Sequence, residues 1–349
     1  MNANRIFPLF VLLYLICSFY GLVEVPLGGE EPRRAYLAVE GMTTKDPLIM
    51  RHYGHIYYNK PPVHNFFNQQ VIRVLGPHAL SYRLTSFIAY LLTGFLLYRL
   101  ILPYSNVWAK YSLLIFMLSP DLMLYQSIYS GEIDGLFAFF LFFQFVLFYK
   151  YSRKSQLLLL FMAYLFGSIA FLTKGLPGIF ITVMGQVSLW FTGERNIRTI
   201  VWHPMVALIP AVLLLVSYFL YFERATGQGA LYLLNLIKES TGKTVENFNW
   251  LAFIEHFIIE FPGQILKFTF PFILIALFRI SRKRIAFSLV SRFPLIGFGL
   301  VYLLLNIWPY WLSSYSKSRY LIPFIPVLAL ILGAIFFEMA NNSRRQGIN

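Results

Sequence analysis

Acids and bases stand side by side in residues 28–64, where Glu30 and Glu31 are followed by Arg33 and Arg34 and the segment closes on Lys60-Pro61-Pro62-Val63-His64. Carboxylates in such a setting accept protons or orient hydroxyls. Arg holds an anion through a bidentate fork, and Lys holds it as a point charge. Three later stretches add the same residue types: Glu132 and Asp134 in SGEIDG, Lys174 in TKGLPG, and Lys317, Arg319 and Tyr320 in SKSRYLIP. Proline or glycine accompanies the charges and shapes the backbone there. For any single one of these residues a simpler reading exists, since helix ends leave a membrane on polar side chains. The set requires a view of the elements that carry it.

Of the 349 residues, 58% are hydrophobic and only 13% charged. A soluble domain carries about twice that charge fraction. Repeated apolar runs near 20 residues long predict transmembrane helices, about ten in all. The expected spans are residues 6–23, 82–102, 111–128, 136–148, 157–172, a sixth before GERNIR, then 204–222, 263–278, 294–308 and 321–337. The first run follows the short basic start MNANR, and no small-x-small cleavage site follows it, so it reads as a retained helix that runs outward. Inner turns then receive Lys110, Lys150, Arg153, Lys154, Arg195, Arg198, Arg279, Arg282, Lys283, Arg284 and Arg292, and the tail receives Arg344 and Arg345. This is the positive-inside pattern, and it accounts for the net charge of +14. Residues 24–82 become a first outer loop with short surface helices at 33–40 and 63–74, and residues 223–262 a second outer segment placed to cover an acceptor. Scattered basic residues argue against nucleic acid as a partner. A lone cysteine, Cys17, excludes an intrachain disulfide.

In this topology Arg33, Arg34, Lys60, Lys174, Lys317 and Arg319 all face outward, where basic residues should be sparse. Cations beside a membrane suit an anionic ligand, a lipid phosphate first. His52, His55 and His64 lack the helical spacing of a zinc site, so no metal or other cofactor is expected, and His64 reads as a hydrogen-bond partner. Tyr53, Tyr57, Tyr58, Trp308, Tyr310, Trp311, Tyr315 and Tyr320 read as an interfacial aromatic belt, a few of them able to stack on sugar or prenyl groups.

Four stretches carry a family resemblance. GEEPRRAYLAVEGM resembles the acidic motif in the first outer loop of polytopic glycosyltransferases that use polyprenyl-phosphate sugars, and YYNKPPVHNFF resembles the motif that closes that loop. FLTKGLPG and SRYLIPFIPVLALI resemble two later motifs of the same family, in the same order. The relatives are the protein O-mannosyltransferases and the aminoarabinose transferases that modify lipid A. The resemblance implies an all-α polytopic fold of the GT-C architecture, with residues 1–349 as one integral-membrane domain and no large C-terminal soluble domain. It implies an enzyme that transfers a sugar, with inversion, from a polyprenyl-phosphate carrier to a lipid A, envelope-glycan or protein acceptor. The expected location is the plasma (inner) membrane with the active site facing outward, among membrane lipids. It makes Glu30 the candidate base or acceptor-orienting group, beside Glu31. Asp134 becomes a second carboxylate, with Glu132 as its alternative. Lys60, Arg319 and Lys174, then Arg33 and Lys317, become candidates for the donor phosphate, supported by His64 and Tyr320. Glu30 stands where the family usually has Asp. The alternative reading is a secondary transporter or lipid flippase, which should show mid-membrane charges and two similar halves.

Overall fold

The computed structural model describes residues 3–44, 46–120, 122, 129–192, 196, 198–241, 250–280, 285–313 and 316–345. The apolar runs fold as helices because a backbone in lipid must satisfy its own hydrogen bonds. Helix α1 (Ala3–Glu24) leads into a polar segment holding α2 (Glu31–Thr43), a hairpin of β1 (Arg51–His52) and β2 (His55–Ile56), and α3 (Val63–Leu75). The bundle continues with α4 (Ala79–Ile101), α5 (Asn106–Met117), α6 (Ile133–Lys154), α7 (Leu157–Lys174), α8 (Pro177–Thr192) and α9 (His203–Thr226). After these come α10 (Gly229–Thr241), α11 (Trp250–Glu255), α12 (Phe261–Thr269), α13 (Phe272–Ile280), α14 (Ile285–Arg292) and α15 (Pro294–Trp311). A tight turn at Ser318–Phe324 opens α16 (Ile325–Arg345).

Among the described residues seven helices are long and apolar enough to cross a membrane, or eight if the bent pair α11–α13 counts as one span. The chain is therefore a multi-pass membrane protein. The expected third span, 111–128, is cut short: α5 stops at Met117, ahead of the helix-limiting Ser119-Pro120, and most of 121–128 lies outside the described residues. The eighth, 263–278, is broken between α12 and α13 with a bend of 102°. Pro271 supplies no N–H there, and Phe270 before it is extended (ψ 140°). Helix α8, with 16 residues, is shorter than a standard span.

Burial sorts the helices. Helix α6 is the axis: 83% of its most apolar stretch is buried, against 17% for α1 and 22% for the span that contains α9. Phe137, Phe142, Phe145 and Phe148 of α6 fill the interior, while α1 and α9 show Leu and Ile outward, as a lipid-facing helix should. Short connections (Lys154 to Leu157, Lys174 to Pro177) make neighbours antiparallel. One end of the bundle thus collects residues 28–64, the starts of α4 and α6, the ends of α7 and α9, and the turn at Ser318. The opposite end collects Arg99, Lys110, Lys150, Arg153, Lys154 and Arg198. Arg195, Arg282, Lys283 and Arg284 lie outside the described residues.

The two surface helices of the first loop form close to the expected places. Helix α2 begins with Pro32 in its first turn and buries Glu31, Arg34, Ala35, Leu37, Ala38 and Gly41. Helix α3 buries a polar face, His64, Asn65, Asn68 and Gln69, against it; Asn65 Nδ2 donates to the Leu37 carbonyl at 3.3 Å. The hairpin between them was not expected. Tyr53 and Gly54 both take positive φ (53° and 79°), the requirement of a two-residue hairpin turn, and the Glu40 carboxylate accepts both their N–H groups at 3.0 and 2.6 Å.

Candidate active site

Glu31 anchors the site end. Its carboxylate is 4% exposed and accepts four hydrogen bonds: Arg83 Nε at 2.8 Å, Arg83 Nη2 at 2.9 Å, the Gly28 N–H at 3.0 Å and the Gly131 N–H at 2.7 Å. Arg83, fully buried in α4, also donates to the carbonyls of Leu22, Val25 and Pro26 at 3.0, 2.6 and 2.9 Å. Burial alone would raise the Glu31 pKa, but Arg83 and the two backbone donors outweigh it and hold the carboxyl below its ordinary value. Gly131 must be glycine for this junction, since a Cβ there would stand 2.5 Å from the Tyr82 carbonyl oxygen. With every lone pair engaged, Glu31 joins the end of α1 to the starts of α2, α4 and α6 and has no capacity left for a proton in transit.

Around this junction the expected cations and carboxylates assemble. Lys174, from the end of α7, is ion-paired with Asp134 in the first turn of α6; the Asp134 side chain is buried and that of Lys174 is 9% exposed. Its ammonium also lies 5.1 Å from the ring centres of Phe137 and Tyr320. Arg319 lies over the Tyr320 ring at 5.8 Å and within electrostatic reach of Asp134 and Glu132. Lys60 is ion-paired with Glu239 of α10, and its carbonyl accepts from Tyr232 at 3.1 Å. Burial pulls the Lys60 ammonium's pKa down, with Glu239 opposing. His64 is buried on α3, and its Nε2 lies 3.4 Å from Ser86 Oγ. Burial first, then the Arg34 charge, lower its pKa to about 3, so the ring is neutral. Ser86 Oγ donates to the Glu132 carbonyl at 2.6 Å and so accepts from His64.

Two expected residues are elsewhere. Arg33 forms a surface ion pair with Glu30, the two side chains 38% and 39% exposed, and lies 5.9 Å from the Tyr57 ring. Lys317 is exposed and lines a separate groove of about 420 Å³ with Glu260, Gln264, Lys267, Ser316 and Ser318. The inward guanidinium on α2 is Arg34, 7% exposed, with a charge felt by Lys60, His64 and Glu132. The resemblance implies Arg33 for this task. The helical period supplied the better choice, because Arg34, Leu37, Ala38 and Gly41 recur at three- and four-residue steps on one face.

The aromatic belt is partial. Trp308, Trp311 and Tyr53 are exposed, but Tyr57 is buried, Tyr58 is hydrogen-bonded to Gln228, and Tyr320 packs on Tyr310 with ring centres 6.0 Å apart. Tyr315 lies outside the described residues. His52 makes edge-on or tilted ring contacts with Tyr36, Tyr53 and Tyr57, and among the described residues no three His, Cys, Asp or Glu side chains converge as a metal site. The arrangement offers buried and half-buried cations for an anion beside carboxylates for a proton, at the boundary of a membrane-spanning bundle.

Residues 59–222 match the family model of dolichyl-phosphate-mannose-protein mannosyltransferase. That stretch holds Lys60, His64, Glu132, Asp134 and Lys174; Glu30, Glu31, Arg34 and Arg319 lie outside it. The fold is similar to that of ArnT from Cupriavidus metallidurans in the apo state, with a TM-score of 0.76, 16% identity, and coverage of 96% of this chain and 60% of that one. It is equally similar to the same protein bound to undecaprenyl phosphate, at TM-score 0.75 and 17% identity, covering 96% of this chain and 61% of that one. This chain thus spans about 60% of the ArnT length. It has no match among curated proteins.

Proposed function

For a chain whose residues 59–222 carry the dolichyl-phosphate-mannose-protein mannosyltransferase pattern within an ArnT-like fold, we propose the activity of a GT-C glycosyltransferase. It moves a sugar from a polyprenyl-phosphate carrier to an acceptor on the outer face of the plasma membrane. The observation that carries this reading is the meeting of Lys60, Lys174, Arg319 and Arg34 with Glu132 and Asp134 at one membrane end of the bundle. The basic residues of the opposite end support the orientation.

Mechanistically, the acceptor attacks the anomeric carbon opposite the phosphate, and negative charge grows on the leaving phosphate. Fixed cations lower that barrier, because they need no reorganisation when the charge appears. Arg319 supplies the bidentate contact. Lys174 is held in place by Asp134 and two aromatic faces. Lys60 is reached by a phosphate that replaces Glu239. A carboxylate on the other side takes or orients the acceptor's proton.

The test uses purified protein in lipid nanodiscs with labelled polyprenyl-phosphate sugars and an envelope extract. Label should pass to the acceptor and free polyprenyl phosphate should accumulate. Carriage of label across a sealed vesicle without cleavage would replace this reading with that of a flippase.

A further inference from the structure

Four carboxylates of the site end are paired: Glu30 with Arg33, Glu31 with Arg83, Asp134 with Lys174 and Glu239 with Lys60. Glu132 is different. It is 8% exposed, and among the described residues it forms no ion pair within 4.0 Å. It stands at the N-cap of α6, where a carboxylate ordinarily accepts a backbone N–H, yet its side chain makes no capping bond. Its backbone is pinned instead, by the Ser86 hydroxyl of α4 with His64 of α3 behind it. The side chain faces the cluster, where Arg34 from α2, Asp134 from its own helix, Arg319 from the Ser318 turn and Glu30 from the entry to α2 act on it. Arg34 mirrors this state. It is 7% exposed, its Nε is buried with no hydrogen-bond partner, and among the described residues it too forms no ion pair. Buried charges are ordinarily paired, because desolvation of a lone ion costs several kcal/mol. A buried carboxylate and a buried guanidinium that act on each other without forming an ion pair each keep capacity for a ligand.

Resting on the glycosyltransferase reading, we infer that Glu132 accepts the proton of the acceptor, that Arg34 is the positioning residue that holds its charge, and that the acceptor nucleophile is a hydroxyl. The hydroxyl oxygen bonds to the anomeric carbon. The bond from that carbon to the donor phosphate oxygen breaks, and its electron pair leaves on the phosphate. The hydroxyl proton passes to Glu132, which returns it to water after product release. Glu30 and Asp134 are weaker bases for this step because each already shares its charge with a cation. A phosphate acceptor arrives ionised, needs no base, and would be repelled by the unpaired carboxylate. Burial, then Asp134 and Glu30, raise the Glu132 pKa against the pull of Arg34 and Arg319, which brings the group nearer to the range of an effective general base.

The experiment measures two things across pH on the full chain in nanodiscs: transfer from labelled polyprenyl-phosphate sugars to envelope extract, and binding of undecaprenyl phosphate. Glu132→Gln should lower transfer by about a hundredfold or more, the range of a lost general base, with undecaprenyl phosphate binding within about twofold of wild type. That retained binding also reports an intact fold. Glu132→Asp should recover part of the rate. Arg34→Gln should move the acid limb of the wild-type pH profile to higher pH, because loss of the cation raises the pKa of Glu132, and transfer should return at alkaline pH. Wild-type transfer with an unimpaired Glu132→Gln overturns this inference alone, as does an unmoved limb in Arg34→Gln or label found on a phosphate acceptor. No transfer by wild type with any donor overturns the donor reading and this inference with it.

Discussion

Two carboxylate–guanidinium combinations, each with one member near the start of α2, meet at the same end of the bundle and behave in opposite ways. Glu31 and Arg83 are joined by two hydrogen bonds, and every remaining lone pair and N–H of that contact meets backbone. Glu132 and Arg34 are also buried, at 8% and 7% exposed, and among the described residues neither forms an ion pair. The first combination closes the junction of α1, α2, α4 and α6. The second holds unspent electrostatic capacity against the first. The difference shows how a membrane-embedded polar cluster divides: saturated charges fix the geometry, and unsaturated charges are free to meet a ligand. Adjacency in sequence does not predict membership, since Glu30 and Glu31 differ in role, and so do Arg33 and Arg34.

The largest effect should come from breaking the saturated pair. Glu31→Gln or Arg83→Gln leaves an uncompensated buried charge and should cost about 3–5 kcal/mol, read as a lower melting temperature and loss of monodisperse protein in detergent. Retention of wild-type stability in either variant would erase the distinction between the two combinations. Next comes the donor side. Lys60→Ala should weaken undecaprenyl phosphate binding by about 10- to 100-fold, the scale of one hydrogen bond to a charged group. Glu239→Gln should strengthen binding, because the carboxylate that competes for Lys60 is gone. Weaker binding in Glu239→Gln would place the phosphate elsewhere.

The fold was legible where physics acts locally. Apolar runs announced the spans, and a helical period announced α2 and α3. The break at Phe270-Pro271 has a sequence signal too, since a proline sits in the middle of the expected eighth span, but the apolar pattern runs straight through it. The hairpin at 51–56 has the short signal Tyr53-Gly54 with no alternation around it. Within the site, residue types and order were readable, and Asp134, Lys174, Arg319 and Tyr320 do gather. Pairing was not readable. Arg83 lies inside an apolar run, 52 residues from Glu31, and only the packing of α4 against the α1–α2 turn brings them together. The resemblance ranks Glu30 ahead of Glu31, but only the contact with Arg83 gives Glu31 its structural part.

A smaller effect tests the neutral member of the cluster. The His64 pKa falls from its ordinary 6.5 to about 3 in the fold, so the unfolded chain binds a proton first. Its contribution to stability is complete above about pH 6.5 and is lost as pH falls toward 3. Glu31, with its lowered pKa, acts in the same direction. His64→Gln should therefore flatten, without abolishing, the decline of melting temperature between pH 6.5 and 4. An unchanged decline would mean that His64 is already charged beside Arg34, and the unsaturated side would then carry a second cation.

The smallest effect belongs to the pair that resembles a site most in sequence. Arg33 and Glu30 are three residues apart on α2, each more than a third exposed, and water screens them. Arg33→Gln should change stability by less than about 1 kcal/mol. It should leave undecaprenyl phosphate binding within about twofold, because the half-exposed guanidinium pairs with Glu30 and its charge is not among those acting on Lys60, His64 or Glu132. Arg34→Gln at the next position should leave the protein folded but shift its pH profile. Two neighbouring arginines, changed in the same way and read in the same assay, thus measure how far burial without a partner separates a residue that binds from one that decorates a helix. Equal consequences from both would show that the helix turns differently from the one described, and the assignment of Glu132 would fall with it.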